Sequence, residues 1–183
     1  AARGLSVPQV VFPIRLDRVG GSALTDPAIP LPRHGSAEEI GPGVPSTYVP
    51  FRNGIFLSVA AALAEARGIR VIVCGFNVLD SPHYPDTRPA FVAAMTRAVR
   101  AGTRPAAGGR RLRILAPFIG MRKSEIIRRG LALRADYAWS VSCYAGRETP
   151  CGRCSSCLLR RRAWEEVGRP DPLLVRLGKE KRR

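Results

Sequence analysis

The chain has 183 residues, 45% of them hydrophobic, which fits one globular domain with its own core and argues against wholesale disorder. No apolar run reaches the roughly 18–20 residues of a membrane helix, and no signal-peptide pattern opens the chain, so we expect a cytoplasmic protein that does not enter a membrane. The formal charge is +16, from 30 basic and 14 acidic residues.

This charge raises the question of nucleic-acid binding, because a basic face binds phosphates. Surfaces that bind single strands combine cations with aromatic side chains. Here aromatic residues make up only 7% of the chain, and the arginines are spread through every segment. The pattern favours a chain-wide arginine bias, with a nucleic-acid surface as the alternative.

The N-terminal part of the chain predicts little regular structure. Val10–Ile14 is a short β-rich run interrupted by Pro13, which predicts a strand that lies at a sheet edge or ends early. Residues 20–50 are rich in Gly, Pro and Ser and show no sustained period, so they predict a long irregular loop.

Helices and strands alternate from residue 52 onward, and this order predicts an α/β fold with a parallel sheet. Asn53 is a good N-cap for a helix that ends at Gly68. Residues 70–74 then form a continuous apolar run, typical of a buried strand. The further predicted elements are a helix over 86–102, a strand over 112–115, a helix over 121–129 stopped by Gly130, and a helix over 158–167.

Several polar residues fall where such sheets bind ligands. Arg52 and Asn53 stand at a helix N-terminus, which favours anions, and Lys123 begins another helix after a strand. A polar loop leaves the carboxyl end of the strand at 70–74 and could bind a purine edge or orient a nucleophile; its candidates are Asp80, Tyr84, Asp86 and Arg88. A plain helix cap, a solvated loop and a surface lysine are the alternatives.

Four of the five cysteines lie within fifteen residues, in a C-x7-C-x2-C-x2-C pattern formed by Cys143, Cys151, Cys154 and Cys157. Two-residue gaps let thiolates turn back on one ion, and this arrangement favours a closed structural zinc site. An iron–sulfur cluster is the alternative. Cys74 lies in an apolar run and is predicted to be a core residue.

Five motifs in order make the chain resemble the 7-cyano-7-deazaguanine synthase family from about Val10 to Pro172. They are Val49-Pro-Phe-Arg52-Asn53, Asp80 with Tyr84-Pro-Asp86-Thr-Arg88, Lys123-Ser-Glu-Ile, Ser142-Cys-Tyr, and Cys151-Gly-Arg-Cys-Ser-Ser-Cys157. The resemblance implies a PP-loop ATP pyrophosphatase fold, one zinc on the four cysteines, and a role in queuosine biosynthesis. Members of the family convert 7-carboxy-7-deazaguanine, ammonia and ATP into the nitrile.

By the same resemblance, Arg52 and Lys123 are the candidate catalytic residues, and with Asn53 they would bind anions of ATP or the substrate. The deazaguanine pocket would be lined by Asp80, Tyr84, Asp86 and Arg88. We expect one domain over 1–183, with a partial PP-loop core at 10–140, a zinc knuckle and helix at 141–172, and a basic tail at 173–183. A homo-oligomer is an open possibility.

The sequence departs from the family at its phosphate loop, Ser-Gly-Gly-x-Asp-Ser, which occurs nowhere in the 183 residues. We therefore expect a sheet that is incomplete at the N-terminus, a fragment or degenerate form, and no ATP turnover by this chain alone. Phe51 also stands where the family usually has Gly. A tRNA-thiolating PP-loop enzyme and a non-enzymatic zinc-knuckle adaptor for nucleic acid are the alternative functions.

Overall fold

The computed structural model describes residues 6–78, 83–105, 109 and 111–181. Its helices are α1 (Arg52–Ala66), α2 (Pro89–Gly102), α3 (Lys123–Ala132), α4 (Ser155–Val167) and α5 (Pro172–Arg176). Its strands are β1 (Val71–Val73) and β2 (Arg113–Leu115), and short 3-10 turns lie at Leu16–Arg18 and Pro85–Thr87. In the described part of the chain, no helix combines the length and hydrophobicity needed to cross a bilayer.

The two strands form a parallel pair in which Ile72 lies opposite Ile114. The α/β class and the parallel sheet are therefore confirmed. Both isoleucines face a core that α1 and α2 build from Leu57, Ala61, Ala64 and Val99. The other face of the pair is open, because the side chains of Val73 and Leu115 are exposed there. The expectation of a fully buried strand at 70–74 is thus wrong for one of its two faces.

Helix α1 begins two residues earlier than the sequence predicts, and Asn53 is not its N-cap. Phe51 occupies the cap position in a left-handed conformation (φ 52°, ψ 24°), and Asn53 lies in the first turn. The end of the helix matches the prediction: Gly68 has φ +65°, and the N–H of Ile69 donates to the carbonyl of Ala64 at 2.8 Å. This is the glycine-dependent Schellman geometry.

The left-handed conformation of Phe51 leads to a testable prediction about substitutions at Gly54. A Cβ added to Gly54 would overlap the Phe51 ring. We expect Gly54→Ala to lower the free energy of unfolding by about 1–3 kcal/mol, since the ring must move. In a Phe51→Gly background the obstacle is gone, and the same change should stabilise α1 by about 1 kcal/mol through helix propensity.

Urea denaturation of four proteins, namely the parent, both single variants and the double variant, measures whether Gly54→Ala destabilises the parent but stabilises the Phe51→Gly protein. Phe51→Gly by itself should have a small net effect. It relieves left-handed strain of about 1–2 kcal/mol, but it removes the edge-to-face contact with Phe91, whose ring centroid lies 6.0 Å away. An equal cost of Gly54→Ala in both backgrounds would show that the ring is not the obstacle.

The strand predicted at Val10–Ile14 is wrong: these residues have no regular secondary structure and pair with no strand in the described structure. Val11 and Phe12 are exposed to solvent. A strand needs a neighbour for its N–H groups, and the proline at position 13 removes one donor. Local β propensity alone therefore does not produce a strand here.

Residues 20–50 are irregular, as predicted, but they are fixed to the rest of the molecule. Ser22 is fully buried, and the N–H of Ala23 donates to the carbonyl of Ser46 at 2.8 Å. Thr47 is 2% exposed, and the N–H of His34 donates to the carbonyl of Arg153 in the cysteine-rich segment. The segment is therefore a packed part of the structure that reaches both the pocket and the cysteines described below.

A second, smaller core lies between α3 and α4, where Ile127, Ala163 and Trp164 are buried together. The prediction that Gly130 stops α3 is wrong, because the helix continues through it to Ala132. A Cβ at Gly130 would meet the hydroxyl of Tyr137. The glycine is therefore explained by close packing inside the helix and not by a helix end.

The last helices are joined by a buried ion pair between Arg160 of α4 and Asp171. The Nε and Nη2 atoms of Arg160 donate to the two carboxylate oxygens at 2.5 and 2.8 Å. Asp171 also accepts from the N–H of Leu173 at 2.9 Å and so caps α5. The segment predicted as a basic tail, 173–183, thus starts within a helix, and Leu173 is fully buried.

Candidate active site

A cavity of about 520 Å³, called the pocket below, opens where the chain leaves the carboxyl ends of β1 and β2. This is the position at which parallel sheets bind ligands. Gly75, Phe76 and Asn77 follow β1 there, and Phe118 follows β2. The other lining residues are Arg52, Asn53, Tyr84, Thr87, Lys123, Ile126, Ile127, Tyr137, Ser140, Ser142, Tyr144, Arg160 and Trp164.

The structure brings together four of the residues that sequence reasoning proposed, namely Arg52, Asn53, Tyr84 and Lys123. Arg52 and Asn53 are in the first turn of α1, and Lys123 is the first residue of α3. Two helix N-termini with two cationic side chains therefore border one cavity. This arrangement favours an anion, because the positive ends of the two helix dipoles and the two formal charges have the same sign.

Asp86 has a different position from the one its sequence motif suggests. It is 3% exposed and does not line the pocket, and its Oδ2 accepts the N–H of Asn53 at 2.9 Å. Asp86 thus supplies the α1 cap from outside the helix, 33 residues along the chain. Its second oxygen, Oδ1, is buried without a hydrogen-bond partner in the described structure.

Arg88, another of the loop candidates, is not in the pocket wall. Arg88 is exposed and forms the N-cap residue of α2. Asp80 lies outside the described residues. Of the three loop candidates that the structure describes, only Tyr84 is in the lining.

Sequence reasoning did not single out Tyr144 as a site residue, although the residue belongs to the Ser142-Cys-Tyr motif. Its hydroxyl lies 3.3 Å from that of Tyr84, which in turn lies 2.9 Å from Oγ1 of Thr47. Burial, and then the hydrogen bond with Tyr84, raise the pKa of Tyr144 well above its usual range. The hydroxyl therefore keeps its proton at neutral pH.

Arg160 is a second residue that the sequence did not reveal, and it holds one wall of the pocket. Beyond Asp171, its guanidinium donates to the carbonyl and hydroxyl of Ser140 at 2.8 and 3.0 Å and to the hydroxyl of Ser142 at 3.3 Å. In an arginine-rich chain nothing distinguishes it by sequence from its exposed neighbours Arg161 and Arg162.

The four predicted cysteines come together, and their sulfur atoms all lie within 4.8 Å of one another. A tetrahedral zinc with Zn–S bonds near ~2.3 Å needs sulfur separations of about 3.8 Å, so the donor set fits such an ion. Cys154 and Cys157 are buried and Cys151 is exposed. Cys74 is not part of the cluster; its sulfur lies 3.4 Å from the carbonyl oxygen of Leu115, beside the main core.

Backbone geometry already favours a thiolate in this cluster. Burial opposes the ionisation of Cys151, but backbone N–H groups of Arg153 and Cys154 bond to its sulfur and lower its pKa to about 6. The deeper Cys157 behaves in the opposite way, since burial raises the pKa of its thiol. The loop thus presents one sulfur as a ready anionic ligand.

A cavity of similar volume, about 560 Å³, lies beside α4 and α5. Among the described residues, its lining includes none of the proposed catalytic or substrate-binding residues. The pocket at the ends of the strands is therefore the candidate active site.

Comparison with known proteins identifies the family. The family model described as "Queuosine biosynthesis protein QueC" matches residues 1–168. The chain belongs to the QueC family. The resemblance drawn from the five motifs is thereby confirmed, and the parallel α/β core with its four-cysteine cluster is compatible with the PP-loop fold expected of QueC proteins.

Three relatives illustrate the extent of the match, and each is named 7-cyano-7-deazaguanine synthase. The protein of Trichodesmium erythraeum is 48% identical over 155 residues, covering 85% of this chain and 70% of the relative. The Nostoc punctiforme protein is 46% identical, covering 85% and 69%. The Cupriavidus necator protein is 45% identical over 164 residues, covering 88% and 70%.

Proposed function

We propose that the chain is a 7-cyano-7-deazaguanine synthase that joins 7-carboxy-7-deazaguanine and ammonia at the expense of ATP in queuosine biosynthesis. The observation that carries the proposal is the pocket, which gathers Arg52, Asn53, Tyr84 and Lys123 from three separate family motifs. The small-molecule substrate also agrees with a cavity of about 520 Å³, a volume typical of ligand sites.

The reaction has a clear chemical logic. A carboxylate is a poor acyl donor because oxide would have to leave, so attack on the α-phosphorus of ATP first forms an acyl adenylate and releases pyrophosphate. Ammonia then displaces AMP and leaves an amide. A second ATP then adenylates the amide oxygen, again with release of pyrophosphate, and loss of AMP and a proton gives the nitrile. Positioning and the stabilisation of phosphoryl charge dominate such catalysis.

The residues of the pocket take roles that follow from their chemistry. Arg52 binds oxyanions of the carboxylate or of phosphate through its planar fork, and Lys123 contributes a compact charge to the same anions. Asn53 and Tyr84 offer polar contacts to the base or nucleotide. Asp86 serves as a positioning residue, since it fixes the start of α1 on which Arg52 is carried.

The remaining assignments are proposals of the same kind. Asp80 and Arg88 are retained as candidates for contacts with the base. Zinc is proposed as the ion of the cysteine cluster, held by all four thiolates. Because such a site is closed, the ion supplies stability and no open coordination position for the reaction.

Binding of 7-carboxy-7-deazaguanine, measured by isothermal titration, tests the proposal. We expect Arg52→Ala to weaken binding by about tenfold or more, since a charge-assisted bond to a carboxylate contributes about 1.5–3 kcal/mol. Lys123→Ala should weaken it too. Binding is the readout because the Ser-Gly-Gly-x-Asp-Ser loop needed for turnover does not occur in the 183 residues.

The matched controls are Arg97→Ala and Lys181→Ala, which remove the same charges from exposed positions outside the pocket. They should change the dissociation constant by less than about twofold, which separates local contacts from the general field of the protein. Absence of binding by the parent chain, or equal effects of Arg52→Ala and Arg97→Ala, would contradict the proposed site.

A further inference from the structure

We infer that Tyr144 is the residue that reads the 7-substituent of the base: its hydroxyl, at the end of a chain of three hydroxyl groups, donates a hydrogen bond to the substrate carboxylate. The inference rests on the proposed function and deepens it, because it assigns the specificity for a 7-carboxylated base to a residue outside the predicted set.

The chain of hydroxyl groups runs from the packed irregular segment into the pocket. Oγ1 of Thr47 lies 2.9 Å from Oη of Tyr84, and that atom lies 3.3 Å from Oη of Tyr144. Thr47 is buried, whereas both tyrosines line the pocket. Tyr144 is therefore the last member of this series of hydroxyl groups, and it lies in the wall of the pocket.

The direction of donation along this series of hydroxyl groups follows from the single proton that each hydroxyl carries. If Thr47 donates to Tyr84 and Tyr84 donates to Tyr144, the proton of Tyr144 is left for a ligand acceptor. In the opposite direction of donation, the proton of Tyr144 would bond to Tyr84 and would not be available to a ligand. An anion next to Tyr144 favours the arrangement in which Thr47 donates to Tyr84 and Tyr84 donates to Tyr144. Each hydrogen bond in this series then strengthens the next.

The charge around Tyr144 identifies the end of the substrate that it meets. Arg52 lines the same pocket as Tyr144 and brings a formal positive charge to it. A cation beside a neutral hydroxyl donor matches a carboxylate, which accepts from both. The base edge is neutral, whereas the carboxylate carries a full negative charge and gains more from a guanidinium at that point.

A tyrosine also suits the two halves of the proposed reaction better than a second cation would. The carboxylate only accepts hydrogen bonds, whereas the amide formed from it both accepts and donates. Arginine and lysine only donate, but a hydroxyl can do both by rotating its proton. Tyr144 can therefore hold the 7-substituent before and after nitrogen is added.

The test compares two ligands, 7-carboxy-7-deazaguanine and 7-deazaguanine, on the purified protein with its metal bound. The quantity of interest is the ratio of the two dissociation constants, since a general loss of folding cancels from it. Tyr144→Phe removes only the hydroxyl, and we expect it to lower the preference for the carboxylated base about ten- to a hundredfold.

Tyr84→Phe breaks the chain one step away and should lower the same ratio severalfold. Tyr48→Phe is the control: its hydroxyl accepts the N–H of Phe51 and belongs to neither the chain nor the pocket lining, so the ratio should not change. If Tyr144→Phe does not fold, Tyr84→Phe carries the test, and an unchanged ratio in it overturns the inference.

The outcomes separate this inference from the proposed function. If the parent protein binds neither ligand, the proposed function itself is wrong. If it binds both and Tyr144→Phe leaves the ratio unchanged, the function stands and the assignment of Tyr144 is overturned. A loss confined to the carboxylated ligand supports both.

Discussion

Replacing Asp171 with alanine should lower the free energy of unfolding by about 3–5 kcal/mol, a large part of the stability of a chain this size. Arg160 is 8% exposed, and the carboxylate of Asp171 is its only acidic partner in the described structure. Without it, a guanidinium charge remains buried, with carbonyl and hydroxyl oxygens as its only acceptors. The cap of α5 is lost as well.

Urea denaturation followed by circular dichroism measures the loss. Asp171→Asn is the informative companion, because an asparagine can still cap α5 but cannot neutralise the charge; it should fall between the parent and the alanine variant. Asp17→Ala is the control, since it removes a carboxylate that pairs with Arg15 on the exposed surface. Equal midpoints for the Asp17 and Asp171 variants would show that burial of the pair does not matter.

One zinc ion per chain, bound by four thiolates, is the second expected result. Zinc binding by isolated knuckle peptides contributes about 10–16 kcal/mol near neutral pH. Here the cores around α1 and α2 and between α3 and α4 do not include the four cysteines of the cluster. Chelation should therefore lower the unfolding midpoint strongly and disorder residues 143–157, while much of the helical signal persists.

Elemental analysis and absorption spectra decide the identity of the ion. Cys154→Ala should abolish binding of the metal, because it removes a buried ligand at the start of α4. Cys74→Ala removes a thiol outside the cluster and should leave the metal content unchanged. Iron with sulfide and visible absorption would replace zinc with the iron–sulfur alternative.

Local patterns in the sequence predicted the features that depend on spacing or on alternation. The four cysteines were identified because two-residue gaps close a loop on one ion whatever surrounds it. The parallel pair followed from helices that alternate with apolar runs. Arg52 and Lys123 were identified because each begins a helix, which can be read within a few residues.

Features that depend on distant residues were missed or misread. Asn53 looked like a cap, but the cap comes from Asp86 in another element. Gly130 looked like a helix end, but it is determined by the ring of Tyr137. Tyr144 belongs to a quoted motif but was given no role, because its hydroxyl bonds to Tyr84 and through it to Thr47, which lie 60 and 97 residues earlier in the chain.

The cysteine cluster and the pocket are directly connected in sequence, because Cys143 of the cluster is followed by Tyr144 of the pocket lining. An ion that fixes the sulfur of Cys143 would also limit where the ring of Tyr144 can lie. By thermodynamic linkage, metal and substrate then alter each other's affinity by the same factor. We therefore expect an ion at the cysteine cluster, which takes no part in the chemistry, to change how tightly the base is held in the pocket.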